Sequence, residues 1–170
     1  GHACAPTPAE VATKPDVTSV SVTPTASDLA VRVARTEAGA PDESGNLKSA
    51  KVVVGAGRGA GSADAFGDLE DLTELLGASL GVSRVVTSLG WRPHHEQVGQ
   101  TGSRISPDLY IPCGISGAIQ HWAGCSSAKT ILAINSDPDA PMVTRAHYAV
   151  IGDMHEILPA INEEIRSRRG

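Results

Sequence analysis

The chain has 170 residues, a formal net charge of −5, and 41% hydrophobic but only 3% aromatic residues. These values predict one domain with a modest extension, built around a core of aliphatic side chains. They exclude nucleic acid as the main partner, because the basic run is confined to residues 166–169 and phosphate binding needs clustered Lys and Arg. No apolar run reaches the roughly 18 residues that predict a membrane span, so we expect no membrane insertion.

The first 49 residues predict an N-terminal extension and linker. Residues 1–16 are rich in Ala, Pro and Thr, and residues 37–49 are polar and without a period. Between them, residues 17–22 and 29–33 alternate as strand pieces that have no nearby partner. We therefore place residues 1–49 in the extension and residues 50–170 in the domain.

From residue 50 onward, short apolar strands alternate with helices. The pattern predicts strands at 51–54, 84–87, 108–113, 129–135 and 147–151, and helices at 64–80, from 118, and at 154–168. For the first helix we expect Ser62 or Asp64 as the N-cap and Gly81 as the terminator. This alternation is typical of an α/β, Rossmann-like three-layer fold, with a parallel sheet covered by helices on both faces and preceded by an extended N-terminal segment.

Two loops of small residues flank the third predicted strand: VGQTG at 98–102 and GISGA at 114–118. The second loop leads from a strand into a helix, so its backbone N–H groups favour negative charge. Neither loop contains a carboxylate, whereas polar side chains are frequent in and after them: Gln100, Thr101, Ser116, Gln120 and His121. Because ligands of parallel sheets bind at the carboxyl ends of the strands, we expect a cleft there for an anionic ligand such as a dinucleotide.

The glycine-rich segment GAGRGAG at 55–61 matches neither of two common phosphate motifs. It lacks the GK[ST] of a P-loop, and no acidic residue follows the next predicted strand as a dinucleotide fingerprint requires. From the residues alone, Arg58 contacts a phosphate or belongs to a plain tight turn. In the same way, Arg84 and His121 are either ligand contacts or structural residues.

The sequence gives little support for a metal site or for a catalytic nucleophile. Cys4, Cys113 and Cys125 are odd in number and lack CxxC spacing, which is typical of reduced thiols in a cytoplasmic protein. The adjacent His94 and His95 point apart and do not form a metal site. No Ser/His/Asp or Cys/His order predicts a catalytic nucleophile, so we expect no catalytic residue and no metal ligand.

In order, a series of short strings resembles the FAD-binding domain of the electron transfer flavoprotein α subunit. The strings are GRG (57–59), GVSR (81–84), VGQTG (98–102), LYI (109–111), GISGAIQH (114–121), KTI (129–131), AIN (133–135), DP (137–138), AP (140–141) and Asp153. The resemblance covers residues 51 to 165. The family's α subunit is longer, so the chain resembles its C-terminal part. Ala56 stands where the family usually has Gly, so the local backbone geometry is expected to differ there. Ser88 stands where the family usually has Asp, so the contacts of that acid are not expected in this chain.

The resemblance implies an electron carrier and not an enzyme. Such proteins are heterodimers with a β subunit. They take electrons through FAD from acyl-CoA dehydrogenases of fatty acid β-oxidation and from other dehydrogenases, by way of a stabilised anionic flavin semiquinone. They pass the electrons to a quinone oxidoreductase. The expected location is the bacterial cytoplasm.

The resemblance also implies the contacts of the FAD. Arg84 would lie close to the isoalloxazine, Thr101 would bond flavin N5, and His121 would face the N1 and C2-carbonyl side, adding positive charge if protonated. Asn135 and Asp153 would lie toward the adenosine end. The remaining implied contacts are Arg58, Ser83, Val98, Gly99, Gln100, Ser116, Gly117, Ala118, Ile119, Gln120 and Met154.

Two alternatives remain. The chain could be a non-redox module that holds NAD or AMP on the same fold, although Arg84, Thr101 and His121 together favour a flavin. It could also be a domain that folds but does not retain FAD without the β subunit. The sequence leaves this last possibility open.

Overall fold

The computed structural model describes residues 16–30 and 47–169 of the chain, which divides into two units, residues 1–38 and 39–170. In the first unit, residues 16–25 form no helix or strand, and all the side chains of 16–30 are exposed. The strand predicted at 17–22 is therefore wrong, because an alternating segment without a partner strand cannot complete its backbone hydrogen bonds. Of the strand predicted at 29–33, Leu29 belongs to a turn and residues 31–33 lie outside the described residues.

The second unit contains one sheet of five parallel strands. They are β1 (Val52–Ala56), β2 (Ser79–Val82), β3 (Leu109–Cys113), β4 (Thr130–Asn135) and β5 (Tyr148–Ile151), in the order β2-β1-β3-β4-β5. The helices described are α1 (Gly67–Leu76), α2 (Arg84–Ser88), α3 (Ile119–Cys125), α4 (Pro141–Arg145) and α5 (Met154–Arg169). Single 3-10 turns span Arg58–Ala60 and His94–Glu96. The predicted α/β fold with a parallel sheet is confirmed.

Alternate residues of the strands contribute to two hydrophobic clusters, one on each face of the sheet. On one face, Val54 of β1 packs with side chains of α1, α2 and α5, among them Leu72, Val86 and Leu158. On the other face, Val53 packs with residues of α3 and α4, such as Cys125 and Met142. A strand whose two faces are both buried has an almost continuous apolar sequence, which is why VVV at 52–54 predicts a central strand.

The second strand and the first helix differ from their predicted bounds. Helix α1 ends at Gly77, which adopts a left-handed conformation with φ of 58°. The next residues then form β2, so Leu80 lies in a strand and Gly81 does not terminate the helix. Leu80 misled the prediction because it follows Leu76 by four residues, the spacing of a helical face. The predicted caps are also wrong, since Phe66 precedes the helix and no side chain caps it.

The strand predicted at 84–87 is wrong as well. Residues Arg84–Ser88 form the short helix α2 directly after β2. Two adjacent valines favour a strand by intrinsic propensity, but this preference is weak and tertiary packing overrides it. Here Val86 is fully buried against the core while Val85 is 42% exposed, as expected for neighbours on a helix at the edge of a core.

The first three glycines of segment 55–61 are required by the close approach of β3 and the loop that follows it. A Cβ atom at Gly55 would lie 2.5 Å from the hydroxyl of Tyr110. A Cβ at Gly57 would lie 2.1 Å from the carbonyl oxygen of Gly114, and one at Gly59 would lie 2.6 Å from Gly114 Cα. These glycines therefore allow the loops after β1 and β3 to touch.

Replacing Gly55 by alanine should destabilise the fold by about 1–3 kcal/mol, because the added methyl group overpacks against the buried Tyr110 ring. Chemical denaturation monitored by circular dichroism measures the change. Gly67→Ala is the matched control: no atom lies within 4 Å of its Cβ position at the start of α1. Alanine there should be neutral or stabilising by up to about 1 kcal/mol. Equal unfolding free energies for the two variants would contradict the packing argument.

Candidate functional site

A cavity of about 730 Å³ opens at the carboxyl ends of the strands. The carboxyl-terminal ends of β1 to β5, or the segments directly after them, contribute Arg58, Ser83, Gly114, Asn135 and Asp153 to its wall, in that order. The strand order reverses between β1 and β3, so the segments after these two strands diverge and leave a crevice. The volume falls within the range of about 300–1,000 Å³ that is usual for cofactor sites.

Every predicted cofactor-binding residue except Ile119 lines this cavity. Those that line it are Arg58, Ser83, Arg84, Val98, Gly99, Gln100, Thr101, Ser116, Gly117, Ala118, Gln120, His121, Asn135, Asp153 and Met154. Ile119 begins α3 with a side chain that is 62% exposed and does not line the wall. The structure thus brings the predicted residues together, while their individual contacts with a cofactor stay predictions.

Charge is divided between the two halves of the cavity. Arg84 follows β2 and Arg58 begins the turn after β1, and within the described part of the chain neither guanidinium forms an ion pair or a hydrogen bond. Asp137 and Asp153 follow β4 and β5 at the other side of the sheet. The first half suits phosphate or another anionic group, and the carboxylates suit hydroxyl donors such as those of a ribose.

Asn135 supports the loops around the cavity. Its Nδ2 donates to the Ile115 carbonyl at 3.0 Å, and its Oδ1 accepts the backbone N–H of Asp137 at 3.1 Å. The side chain therefore ties the loop after β3 to the turn after β4. Part of its hydrogen-bonding capacity remains for a ligand, because an amide has two N–H donors and two acceptor lone pairs.

Gln97 is a site residue that the sequence analysis missed. Its side chain is buried, its Oε1 accepts the Thr87 hydroxyl at 2.7 Å, and its Nε2 donates to Thr101 Oγ1 at 2.9 Å. Because Thr101 accepts a hydrogen bond from Gln97, its own O–H proton is free to point into the cavity. No local sequence pattern predicts that Gln97 orients Thr101, since its two threonine partners lie ten residues before it and four residues after it.

The segment before this loop is anchored by a partly buried ion pair. Arg92 donates two hydrogen bonds to the carboxylate of Glu96, at 2.8 and 2.9 Å, and a third to Glu70 of α1 at 2.7 Å. Glu96 is only 3% exposed, and its hydrogen bonds raise the pKa of Arg92, which stays charged. The bidentate geometry fixes the chain just before Gln97.

His121 is buried at the wall of the cavity. Its Nε2 lies 2.8 Å from the hydroxyl of Tyr110, whereas its Nδ1 has no hydrogen-bond partner within the described residues. Burial lowers the pKa of His121 to about 4, a shift that the nearby Val98 carbonyl partly opposes. The imidazole is therefore neutral at pH 7 in this structure. The positive charge that His121 would add if it were protonated is not favoured.

The order of the strands, the glycine loops and the cavity together define a dinucleotide-binding α/β domain. Its residues fit FAD on three grounds: a buried Nδ1 at the wall and two guanidinium groups that find no partner among the described residues, and a backbone cradle that side chains would fill. Among the described residues no group of His, Cys, Asp and Glu could hold a metal ion. Nor does any described helix have the length and apolar character to cross a membrane.

Residues 46–126 match the family model described as the electron transfer flavoprotein FAD-binding domain. The electron transfer flavoprotein subunit α of Thermoanaerobacterium thermosaccharolyticum is 47% identical over 121 residues, which are 71% of this chain and 37% of that protein. The Mycobacterium leprae subunit is 46% identical over 129 residues, 76% of this chain and 41% of that protein. The Mycobacterium tuberculosis subunit is 49% identical over 119 residues, 70% of this chain and 37% of that protein.

The matched part of the chain is thus identified as the electron transfer flavoprotein FAD-binding domain, and the relatives that the chain resembles are α subunits of electron transfer flavoproteins. The predicted cofactor, FAD, is confirmed by the family match. The chain spans only about two fifths of the length of these three relatives, between 37% and 41%.

Stability should fall as the pH is lowered from 6.5 toward 4. The folded chain holds His121 with a pKa of about 4, against 6.5 for a free imidazole. Between pH 4 and 6.5 the unfolded chain binds more protons at His121 than the folded chain does, so the unfolding free energy rises with pH in this range. Below pH 4 and above pH 6.5, His121 adds no pH dependence to the unfolding free energy. The contribution is on the order of 3 kcal/mol.

Urea titrations at several pH values measure this dependence. His121→Gln should flatten the slope between pH 4 and 6.5, while His94→Gln, which removes an exposed histidine, should keep the slope of the parent chain. Identical slopes in the parent and in His121→Gln would contradict the burial of a neutral imidazole.

Proposed function

We propose that this chain, through residues 50–170, is the FAD-binding module of an electron carrier that works as a heterodimer with a β subunit. The proposed donors are acyl-CoA and other dehydrogenases, and the proposed acceptor is a quinone oxidoreductase. The observation that carries the proposal is that Arg84, Thr101 and His121 line one cavity at the point where the strand order reverses. A cytoplasmic location stays part of the same proposal.

The loops after β1 and β3 hold the dinucleotide in this proposal. Arg58 supplies a cation, and the backbone around Ser116 and Gly117 approaches the ligand without a large side chain between. On the opposite side of the cavity, Asp153 accepts hydrogen bonds from ligand hydroxyls. The division of charge across the cavity thereby sets the direction in which FAD lies.

Arg84 and Thr101 act at the redox-active end. The Thr101 hydroxyl, fixed by Gln97, donates its proton toward the flavin ring, and Arg84 places a positive charge beside it. FAD, when bound, supplies one-electron chemistry, and the finer proposal is that this site stabilises its anionic one-electron-reduced form. A fixed charge acts more strongly in a site from which water is excluded than in bulk water. Because His121 is neutral in this structure, Arg84 carries the positive charge of this end.

A non-redox module for NAD or AMP on the same fold is the alternative. Such a module needs the cation at Arg58 and the carboxylate at Asp153 but no hydroxyl donor aimed at a tricyclic ring. The hydrogen bond that orients Thr101 therefore favours FAD.

Absorption spectroscopy of the purified chain with added FAD tests the proposed function. After removal of excess FAD, retained flavin bands that correspond to about one flavin per chain support the proposal, and excess NAD or AMP should not displace them. If the chain alone retains no flavin, the titration is repeated with a β subunit of this family. Displacement of the flavin by NAD or AMP, or absence of the bands with the β subunit, contradicts the proposal.

Arg84→Ala should lower the flavin midpoint potential for the first electron, because the anionic reduced form loses its positive neighbour. We expect a decrease on the order of 59 mV, which is a tenfold change in equilibrium for one electron. Spectroelectrochemical titration of the FAD-loaded protein measures it. Arg168→Ala is the control, since Arg168 is exposed near the end of α5 and pairs with Glu164. An unchanged potential in Arg84→Ala would contradict the role of this charge.

A further inference from the structure

Tyr110 is a buried polar residue that the proposed function does not use. Its side chain is fully buried in β3, and its hydroxyl lies 2.8 Å from Nε2 of His121 on α3. The two rings are stacked, with centroids 6.2 Å apart and planes inclined by 23°. Burial raises the pKa of Tyr110 well above its usual value, so the hydroxyl keeps its proton.

The fold keeps space for this hydroxyl. Gly55 of β1 pairs with the strand that carries Tyr110, and a Cβ atom there would lie 2.5 Å from the hydroxyl oxygen and 2.8 Å from the ring. The absence of a side chain at Gly55 therefore leaves room for both the ring and the hydroxyl of Tyr110. Gly55, the first glycine of segment 55–61, thus leaves the space that the Tyr110 hydroxyl occupies.

The positions of the protons follow from the available partners. Within the described residues, His121 is the hydrogen-bond partner of the Tyr110 hydroxyl, and Nδ1 of His121 has none. If Nε2 carried the imidazole proton and donated to Tyr110, the tyrosine proton and the bare Nδ1 would both be left without partners. If Tyr110 donates to Nε2, the imidazole proton lies on Nδ1 and only that single N–H awaits an acceptor. The second arrangement leaves fewer buried polar groups unsatisfied and is favoured.

We propose that Tyr110 is a positioning residue that holds His121 as the neutral imidazole with its proton on Nδ1. The Nδ1–H group of His121 then donates a hydrogen bond to an acceptor atom of bound FAD. The inference rests on the proposed function for the identity of the acceptor, but not for the state of His121. Within the described residues Nδ1 has no hydrogen-bond partner, and His121 lines the cavity with 7% of its surface exposed, so a bound ligand can supply an acceptor for Nδ1 besides the nearby Val98 carbonyl. A ring carbonyl oxygen or an unprotonated ring nitrogen of the flavin has the required acceptor chemistry.

The experiment compares Tyr110→Phe with Tyr148→Phe. The chain has two tyrosines, and Tyr148 is 66% exposed on the edge strand β5. Long-range ¹H–¹⁵N correlation spectra of ¹⁵N-histidine-labelled chain report which ring nitrogen carries the proton, and the signals of His121 are assigned among the six histidines from their loss in His121→Gln. A parallel titration measures the Kd for FAD, with the β subunit present if retention requires it.

In the parent chain and in Tyr148→Phe, we expect a protonated Nδ1 and an unprotonated Nε2 at pH 7. In Tyr110→Phe the Nδ1-protonated signature should be lost or averaged with the other tautomer, because Nε2 no longer accepts the tyrosine proton. FAD should bind about three- to tenfold more weakly, the range expected for the loss of one oriented hydrogen bond. Circular dichroism checks that Tyr110→Phe is folded, which we expect because the variant retains the ring.

Two results overturn the proposal: a proton on Nε2 in the parent chain, or a Tyr110→Phe variant with the parent's tautomer and the parent's Kd. The tautomer is measured without FAD, so it does not depend on the proposed function. A chain with the expected tautomer that binds no FAD, even with the β subunit, would uphold the action of Tyr110 on His121. It would overturn the assignment of FAD as the acceptor.

Discussion

The close contact between the backbone after β1 and the backbone after β3 is the constraint on which the site depends. The Gly57 N–H donates to the Cys113 carbonyl at 3.0 Å, and the Gly59 N–H donates to the Gly114 carbonyl at 3.1 Å. Side chains at either glycine would collide with Gly114, so the contact requires their absence. Once the two loops touch, the floor of the cavity is fixed, and the residues after β3 are presented to a ligand by backbone geometry alone.

The second level of organisation is the orientation of hydroxyl and imidazole protons by buried neighbours. Gln97 accepts one hydrogen bond and donates another, which leaves the proton of Thr101 free. Tyr110 of β3 acts in the same sense on His121. Both supporting residues are more deeply buried than the groups they orient, so the ligand-facing atoms are held by parts of the protein that move little.

The sequence predicted the parallel α/β fold and a set of residues that the structure brings to one cavity. This succeeded because apolar strands are recognisable from composition, and because the carboxyl ends of parallel strands share one edge. It failed where a local pattern was ambiguous. Leu80 continued the spacing of a helix although Gly77 had ended it, and the valines before Thr87 favoured a strand although packing made them helical.

Long-range relations account for the rest of what was missed. The role of Gln97 depends on two threonines that only folding brings to it, and the lowered pKa of His121 depends on burial by elements distant in the sequence. The requirement for Gly55 likewise follows from a tyrosine more than fifty residues away, and so a glycine-rich segment that suggested phosphate binding is partly a packing device.

Amide chemical-shift mapping with FAD tests the central claim, that one cavity between the loops after β1 and β3 holds the dinucleotide. Backbone-assigned ¹H–¹⁵N spectra of the chain, with the β subunit added if binding requires it, are recorded as FAD is titrated. The account predicts the largest shifts at Gly59, Gly99, Thr101 and Gly117, with little change along α5 beyond its first turn. Saturable shifts confined to surfaces away from these loops, such as the exposed strand β5, would contradict it.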